Sequence, residues 1–217
     1  MPLPFKHRPE LPNNKKMAVS RLQCLEKRMK GNERYRKHYT AFMNEIIDRG
    51  YAEEAPEKPR GSCYYIPHHG VYHAKKEDKI RVVFDCSARF NDTALNDLLL
   101  KGPDLTNGLI AVLCRFRQHQ VALTCDIEKM FYQFRVSERD RDYLRFLWWK
   151  DGDTQRQPDE FRMTVHLFGA ASSPGCANFG LRYLAEQCKN DLPLGCQFVS
   201  RNFYVDDGLT SVPSIVD

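Results

Sequence analysis

A strand that runs into a tight turn near the end of the chain limits the fold more than any other stretch. Residues 203–208 read Phe-Tyr-Val-Asp-Asp-Gly. Phe203 and Val205 are spaced as in a half-buried strand, and Asp207-Gly208 is a strong signal for a two-residue turn, with residues 209–212 as the return strand. The sequence therefore predicts a β-hairpin with two adjacent carboxylates, Asp206 and Asp207, at its tip.

Two carboxylates at one tip require a counter-charge. Like charges this close resist joint ionisation, and a divalent cation is the usual partner. Mg²⁺ fits, because it binds a few carboxylates together with substrate phosphate oxygens and does not need a full cage of protein ligands. Asp-Asp-Gly is also common in solvated turns, so the short motif alone leaves both interpretations open.

Length and composition limit the class of protein. A chain of 217 residues with 42% hydrophobic content is long enough for one sizeable domain with a buried core. The formal charge of +5 permits a polyanionic partner without requiring one. Residues 1–16 have no apolar core segment, and no apolar run approaches the ~20 residues of a membrane span, so we expect an intracellular protein, cytoplasmic or nuclear.

The eight cysteines include no Cys-x-x-Cys pair, and several lie in apolar patterns. This spacing argues against a disulfide framework and a zinc ribbon, and indicates reduced, mostly buried thiols. One cluster resembles metal-ligand spacing, Cys63 with His68, His69 and His73. It lacks the paired knuckles of structural zinc sites, so a histidine-bearing strand and turn is the preferred interpretation.

Two helices are predicted at 16–30 and 33–49 from apolar residues at helical spacing, with Gly50 as the cap of the second. Residues 55–61 are rich in proline and glycine and form a linker, so 1–60 are predicted to be an N-terminal helical extension of a domain at 61–217. The basic face of the two helices could follow a phosphate backbone, although a solvated face is the simpler interpretation.

Alternating patterns predict strands at 63–73 and 79–86, joined by a charged turn, and a strand at 120–126 that ends in Asp126. A strand pair is predicted at 143–150 and 161–167, with His166 facing outward, and a further strand at 197–205 after a turn at 190–196. A helix is predicted at 103–117, and another after Ser173 and Pro174 that buries three large side chains, Phe179, Tyr183 and Leu184, together with Cys176.

Three features follow one another along the chain. They are Asp126 with Phe131 five residues later, the Gly-Ala-Ala-Ser-Ser-Pro loop at 169–174, and the Tyr-Val-Asp-Asp hairpin at 204–207. With Lys-Ile-Arg-Val-Val-Phe-Asp at 79–85, their order and spacing closely resemble the reverse transcriptases of long-terminal-repeat retrotransposons. The segments at 2–5, 65–69 and 144–148 are most similar to the Pao/BEL group. The resemblance extends over essentially all 217 residues.

The resemblance implies an α+β fold comprising the fingers and palm of a right-hand polymerase, in which helices pack on an antiparallel palm sheet. It implies RNA-directed DNA synthesis, in which a primer 3′-hydroxyl attacks a dNTP and pyrophosphate leaves. Asp126, Asp206 and Asp207 would be the catalytic carboxylates. Together with the backbone carbonyl of Ile127 they would hold two Mg²⁺ ions, or Mn²⁺ in their place.

The resemblance also implies nucleotide contacts. Phe131 would stack under the sugar and exclude a 2′-hydroxyl, and Arg81 with Lys75 or Lys76 would contact the triphosphate. The remaining contacts would come from the small-residue loop and the start of the following helix, at Phe168, Gly169, Ser173 and Pro174. Phe168 stands where retroviral enzymes have glutamine, which leaves the contact on the 3′ side of the nucleotide open.

The chain stops ten residues after Asp207. In the family a thumb follows, and then the ribonuclease H and integrase regions of the polyprotein, so we expect the thumb to be absent here. The expected partners are an RNA or DNA template with its primer, and dNTPs. Since a polymerase without a thumb holds primer-template poorly, an inactive remnant or a nucleic-acid-binding module stays open as an alternative. An RNA-directed RNA polymerase is disfavoured by the bulky Phe131.

Overall fold

The computed structural model describes residues 1–59, 61–73 and 76–215. Contacts divide the chain into two compact units, Met1–Leu100 with Arg135–Ser173, and Lys101–Phe134 with Pro174–Asp217. The first unit joins residues 1–59 to later parts of the chain, so the compact units are not cut at residue 60. The division into an extension at 1–60 and a main domain stays a prediction.

Six helices and eight strands lie in the described residues. In chain order they are α1 (Lys15–Gly31), α2 (Glu33–Asp48), β1 (Ala52–Glu54), β2 (His68–His73), β3 (Lys76–Phe84), α3 (Leu95–Leu98), α4 (Leu109–Phe116), β4 (Val121–Asp126), β5 (Arg145–Trp148), β6 (Asp159–Met163), α5 (Ser173–Gln187), α6 (Pro193–Asn202), β7 (Phe203–Tyr204) and β8 (Asp207–Val212). Short 3₁₀ helices occupy Met130–Gln133, Glu138–Leu144 and Lys150–Gly152.

The first two helices follow the apolar spacing of the sequence and confirm the predicted helices at 16–30 and 33–49. Asn32 separates them and caps α2, because its side chain accepts a hydrogen bond from the Tyr35 backbone N–H. Gly50 follows α2 with a φ of +68°, which glycine adopts without strain. The buried residues lie three or four apart: Ala18, Leu22, Leu25 and Met29 in α1, and Tyr35, Tyr39, Met43 and Ile46 in α2.

The first unit has two antiparallel sheets, the hairpin β2–β3 and a three-stranded sheet in the order β1-β6-β5. They confirm the predicted strand pairs at 63–73 with 79–86 and at 143–150 with 161–167. Strands β2, β5 and β6 are shorter than predicted, whereas β3 begins at Lys76, three residues earlier than predicted. Strand β1 was not predicted, because three residues are too few to show a period of two. Gly70 lets α2 approach the hairpin, since a Cβ there would lie 2.8 Å from the Tyr35 hydroxyl.

His68 is a core residue of the first unit. Its Nδ1 lies 2.5 Å from the Tyr39 hydroxyl and its Nε2 lies 2.9 Å from the Leu147 carbonyl oxygen. Burial lowers the pKa of His68 to about 4, so the ring is neutral at pH 7. This confirms the structural interpretation of His68. Among the described residues no three His, Cys, Asp or Glu side chains are grouped to hold a metal, and the His73 side chain lies outside them.

Arg145 is the centre of a buried ionic network in the same unit. The Arg145 side chain is 1% exposed, and its guanidinium donates to Asp142 at 2.9 Å and to Glu160 at 2.8 Å. Arg162 in turn donates to Asp142 at 3.3 Å and to Glu53 at 2.8 Å. Because Glu53, Arg145 and Arg162 come from β1, β5 and β6, the network joins all three strands of the sheet.

The second unit contains a three-stranded antiparallel sheet in the order β4-β8-β7, and α4 and α6 contact it. The helix predicted at 103–117 is shorter than expected, since α4 begins at Leu109. Before it, the Asp104 carboxylate accepts a hydrogen bond from the Thr106 backbone N–H at 2.9 Å. Such a local turn competes with helix formation and explains the late start.

The strand predicted at 197–205 is wrong, because residues 193–202 form α6 and only Phe203–Tyr204 pair as β7. Pro193 lies in the first turn of α6, where its fixed φ favours a helix. The burial predicted for the helix that follows Pro174 is also wrong. Three side chains of α5, at 179, 183 and 184, are 54%, 58% and 59% exposed (Phe179, Tyr183, Leu184), and Cys176 is half-buried.

His166 was predicted to face outward, and this is wrong because it is 1% exposed. Burial lowers its pKa to about 4. All eight cysteines are free, as predicted, but they are not mostly buried, since only Cys86 and Cys196 are. Across the described parts of the chain, no helix combines the length and apolar character that crossing a membrane requires.

We predict that the first unit loses stability between pH 7 and pH 5. His68 and His166 bind protons near pH 6.5 when unfolded but only near pH 4 when folded. The unfolded chain therefore takes up more protons as the pH falls below about 6.5, and the stability present above that range is lost. Each histidine should lower the free energy of unfolding by about 2 kcal/mol at pH 5.

Urea unfolding followed by the fluorescence of Trp148 and Trp149, which both lie buried in this unit, would measure the loss. His166→Leu should remove about half of it. The same substitution at the exposed His69 is the control and should leave the loss unchanged. A full pH dependence in His166→Leu would contradict the prediction.

Candidate active site

Strands β4 and β8 bring two of the predicted catalytic carboxylates together. The strands pair in antiparallel register from Val121 opposite Val212 to Asp126 opposite Asp207. Directly opposed residues share one face of a sheet, with Cβ atoms about 4.5–5.5 Å apart. Asp126 and Asp207 are both exposed. Asp126 and Asp207 are thus neighbours across the strand pair.

The hairpin turn lies two residues earlier than predicted. Tyr204 pairs with Asp207, so Val205 and Asp206 form the turn, and Asp207 and Gly208 belong to β8. Val205 has a φ of +60°, which is rare for a β-branched residue and marks local strain. The Asp206 backbone carbonyl accepts a hydrogen bond from the Ile127 N–H at 3.0 Å. The turn is therefore held beside the chain that follows Asp126.

Gly208 permits close packing under the carboxylates. A Cβ at this position would lie 2.6 Å from the Cys125 Sγ and 2.8 Å from the rings of Phe198 and Phe203. The two rings contact each other edge to face, with centroids 5.3 Å apart. Only glycine therefore lets β8 lie against β4 and α6 at this point. The turn interpretation of Asp-Gly missed this role.

Three polar side chains that were not predicted fix the same hairpin. The Asn202 side chain donates to the Leu209 carbonyl at 2.9 Å, and the Asn107 side chain donates to the Phe203 carbonyl at 2.8 Å. The Ser211 hydroxyl donates to the Arg115 carbonyl at 3.0 Å. Each satisfies a backbone carbonyl next to a short strand, and no local motif in the sequence marks them.

The donor set around the hairpin suits a divalent cation. Like charges directly opposite each other destabilise a strand pair, so Asp126 and Asp207 call for a positive partner. Mg²⁺ prefers oxygen ligands and retains several of its water ligands when it binds a protein. Exposed carboxylates suit it, because they leave room for these waters and for substrate phosphate oxygens. Among the described residues no three His, Cys, Asp or Glu side chains are grouped to hold a metal ion, so Asp126, Asp206 and Asp207 do not form such a group.

Phe131 lies in the same unit as the carboxylates, in the 3₁₀ helix Met130–Gln133, and is half-buried between the buried Met130 and Tyr132. Lys129 precedes this helix with a φ of +49°, so the chain turns between Asp126 and Phe131. The position is compatible with the predicted contact to a sugar, which stays a prediction.

The predicted loop residues Phe168, Gly169 and Ser173 belong to the first unit, and Pro174 follows them as the second residue of α5. Phe168 is 39% exposed. Gly169 has a φ of +118°, and a Cβ there would lie 2.3 Å from the Phe84 carbonyl oxygen, so the loop passes directly over the end of β3.

Asn96 holds this loop and was missed by the sequence analysis. Its side-chain amide donates to the Gly169 carbonyl at 2.9 Å, and its side-chain carbonyl accepts from the Ala171 N–H at 2.8 Å. The same amide lies 2.9 Å from the Ser87 hydroxyl. Asn96 thus joins the loop to the turn after β3. An asparagine in the short helix α3 carries no sequence signal for this role.

The predicted triphosphate contacts lie on the hairpin β2–β3. Arg81 is exposed and pairs with Val71, whose side chain is 46% exposed on the same face. Lys75 lies outside the described residues, and so does the side chain of Lys76, which begins β3. Arg81 and the carboxylates belong to different units, so their roles in one site stay a prediction.

Comparisons with known proteins bear on the fold. No protein-family model and no curated protein matches the chain. Among solved structures, a foamy viral protease-reverse transcriptase dRH in complex with double-stranded DNA is similar, with a TM-score of 0.61, 15% identity and 85% of this chain covered. The chain spans 27% of that protein. The likeness shows that this chain, with its helices and antiparallel sheets, has a fold similar to that of a reverse transcriptase.

We predict that Gly208→Ala separates β8 from β4. The added methyl group overlaps Cys125, Phe198 and Phe203, and overpacking of this kind costs about 1–3 kcal/mol. Gly195→Ala is a matched control, because the nearest atom to its Cβ is 3.9 Å away and a helical alanine should be neutral or stabilising. Chemical denaturation monitored by circular dichroism would compare them, and equal stability of the two variants would refute the packing argument.

Proposed function

We propose that the chain is the fingers and palm portion of a reverse transcriptase and carries out RNA-directed DNA synthesis. The observation that carries the proposal is the pairing of Asp126 with Asp207 beside the Asp206 turn, in a fold similar to a reverse transcriptase. The chain spans a minor part of that similar protein, so the activity, the template and primer, and the dNTPs belong to the proposal. The Pao/BEL assignment rests on the sequence segments at 2–5, 65–69 and 144–148.

The proposed chemistry uses the carboxylates as ligands. Asp126 and Asp206 would hold two Mg²⁺ ions, with Asp207 adjacent and the Ile127 carbonyl assisting. The bound ions would supply charge that activates the primer 3′-hydroxyl and stabilises the leaving pyrophosphate. In this proposal the protein contributes by positioning the carboxylates that would bind the ions. The register of β4 with β8 and the hydrogen bond from the Ile127 N–H to the Asp206 carbonyl support the proposal, because they fix the backbone at these residues.

The proposed nucleotide contacts follow the predicted residues. Phe131 would pack under the deoxyribose, and Arg81 with Lys75 or Lys76 would bind the triphosphate. Gly169 would line the nucleotide pocket, and its backbone lies closer to the end of β3 than any side chain at this position would allow. Asn96 would act as a positioning residue, since it holds the Gly169 and Ala171 backbone and has no proposed contact with substrate.

We predict that Asp206→Asn lowers single-nucleotide incorporation by at least 100-fold on an RNA template with a DNA primer. The loss of one carboxylate charge removes a ligand from a site that works by charge and position. Titration with Mn²⁺ followed by its electron paramagnetic resonance signal should show weaker binding in the variant. Asp191→Asn, which makes the same change at an exposed position outside the hairpin, is the control.

Incorporation that is unaffected by Asp206→Asn would refute the metal assignment. If the unsubstituted chain binds primer-template but incorporates nothing, the proposed catalytic function fails for this chain and a nucleic-acid-binding module is the better description.

We also predict that Phe131→Ala relaxes the choice of sugar. Removing the ring opens space where a 2′-hydroxyl would otherwise clash, so the preference for dNTPs over ribonucleotides should fall by about 10-fold or more. Incorporation of matched dNTP and rNTP pairs measures the ratio. A preference that stays unchanged while activity is retained would assign sugar selection elsewhere.

A further inference from the structure

A cavity of about 280 Å³ lies in the first unit, whereas the proposed catalytic carboxylates belong to the other unit. Its wall comes from three stretches that are far apart in the chain, at residues 8–10, 61–62 and 139–143. The volume is just below the roughly 300–1,000 Å³ of sites for drug-sized ligands, so the cavity suits a smaller molecule. The charged side chains that line it are Arg8, Glu10, Arg139 and Asp142.

Arg8 is held beside this cavity by three contacts. Its Nη2 lies 3.0 Å from Asp140 Oδ1 and donates to the Arg139 carbonyl at 2.9 Å, and its guanidinium carbon lies 5.8 Å from the centre of the Tyr143 ring. Asp140 is itself fixed, because it is 1% exposed and its Oδ2 accepts from the Leu3 N–H at 3.0 Å. The Nε and Nη1 groups of Arg8 donate to no other described residue, so they can bind a ligand without reorganisation.

Arg139 adds a second guanidinium. It is exposed, and its Nε lies 3.9 Å from Asp140 Oδ2. One buried carboxylate therefore serves two arginines, and these three side chains together carry one positive charge. Asp142 does not cancel this charge, because its own carboxylate is paired with Arg145 at 2.9 Å and with Arg162 at 3.3 Å.

Glu10 limits the kind of anion that the cavity can take. Its side chain is exposed and belongs to the same lining. A carboxylate at this place repels a ligand that carries several negative charges, such as a phosphate backbone. The cavity is therefore suited to a ligand with a single negative group.

Gly61 and Ser62 provide neutral backbone groups on another part of the wall. They belong to no helix or strand, and their N–H groups form no backbone hydrogen bond with another described residue. A Cβ at Gly61 would meet no atom within 4 Å, so the space beside it is open. Proteins bind the carboxylate ends of chains with free backbone N–H groups, and the planar fork of arginine matches a carboxylate with two parallel hydrogen bonds.

We propose that this cavity binds a carboxylate, which the guanidiniums of Arg8 and Arg139 hold beside the backbone of Gly61 and Ser62. The C-terminal end of a peptide and a small organic acid both present this singly charged planar group. The site needs no metal ion. It goes beyond the proposed polymerase function, because it uses none of the residues assigned to metal ions or nucleotide.

The test titrates the full ¹⁵N-labelled chain with N-acetyl-dialanine and follows the amide signals of Gly61 and Ser62 by nuclear magnetic resonance. The uncharged N-acetyl-dialanine amide is the matched probe. We expect saturable shifts with the acid and at least about 10-fold weaker binding of the amide, because a hydrogen bond to a charged group contributes a factor of this size.

Two further probes, acetate and inorganic phosphate, separate the possible ligands. Acetate that binds about as tightly as N-acetyl-dialanine assigns the site to small organic acids. Acetate that binds at least about 10-fold more weakly assigns it to the end of a peptide, whose backbone adds contacts to the wall. Either result supports a carboxylate site. Phosphate should bind more weakly than both, because of its additional charge beside Glu10.

Arg139→Gln is the variant, because Arg139 is exposed, whereas loss of Arg8 would remove the nearest partner of the buried Asp140. The affinity for N-acetyl-dialanine should fall at least about 10-fold. The matched control is Arg156→Gln, the same change at an exposed arginine of the same unit outside the cavity lining. It should alter the affinity by less than about 2-fold, and circular dichroism checks that both variants fold.

Equal affinity for the acid and the amide, or tighter binding of phosphate than of the acid, would overturn the proposal. Equal losses in Arg139→Gln and Arg156→Gln would overturn it as well. The same holds if roughly 10 mM N-acetyl-dialanine causes no shift at Gly61 and Ser62. Because no metal ion, dNTP or nucleic acid is present, none of these results bears on the Asp206 assignment.

Discussion

The antiparallel register of β4 with β8 is the constraint on which the candidate site depends. It places Asp126 directly opposite Asp207, and a slip of one residue would turn one carboxylate to the other face of the sheet. Short strands specify register weakly by themselves. Here the missing Cβ of Gly208 and the hydroxyl of Ser211 remove the freedom to slip, because each fits one position only.

Two unfavourable features meet at the tip of the same hairpin. The carboxylates of Asp126 and Asp207 face each other, and Val205 holds a φ of +60° in the turn. Strain of this kind costs about 1–3 kcal/mol and persists only where surrounding contacts over-determine the conformation. The Ile127 to Asp206 hydrogen bond and the side chain of Asn202 provide such contacts. Both unfavourable features lie at the residues that are predicted to bind metal, which is where a functional site would retain them.

Two large buried polar side chains of the first unit, Arg145 and His68, are paired by neighbouring polar atoms. Arg145 is satisfied by Asp142 and Glu160, and His68 by Tyr39 and Leu147. Two of the three segments that suggested the Pao/BEL group, 65–69 and 144–148, contact each other here. The Ile66 N–H donates to the Arg145 carbonyl at 2.7 Å. In this chain these two segments therefore lie in the packing of the first unit, apart from the carboxylates.

The sequence by itself determined the elements with strong periodicity, α1, α2, the hairpin β2–β3 and the strand pair β5–β6. It also determined the order of Asp126, the 169–174 loop and the Asp206 hairpin, since local spacing is visible without a fold. The sequence analysis predicted a strand where α6 lies, buried side chains on α5 that are exposed, and an outward-facing His166 that is buried. The reason is that the local pattern of apolar residues does not show which other part of the chain covers them.

Only the tertiary structure decided that the turn is Val205-Asp206, that Gly208 is a packing glycine and that Asn96 and Asn107 hold backbone carbonyls. The physical reason is that register, close approach and side-chain to backbone hydrogen bonds join residues about 70 to 100 positions apart, and no local pattern encodes such pairs.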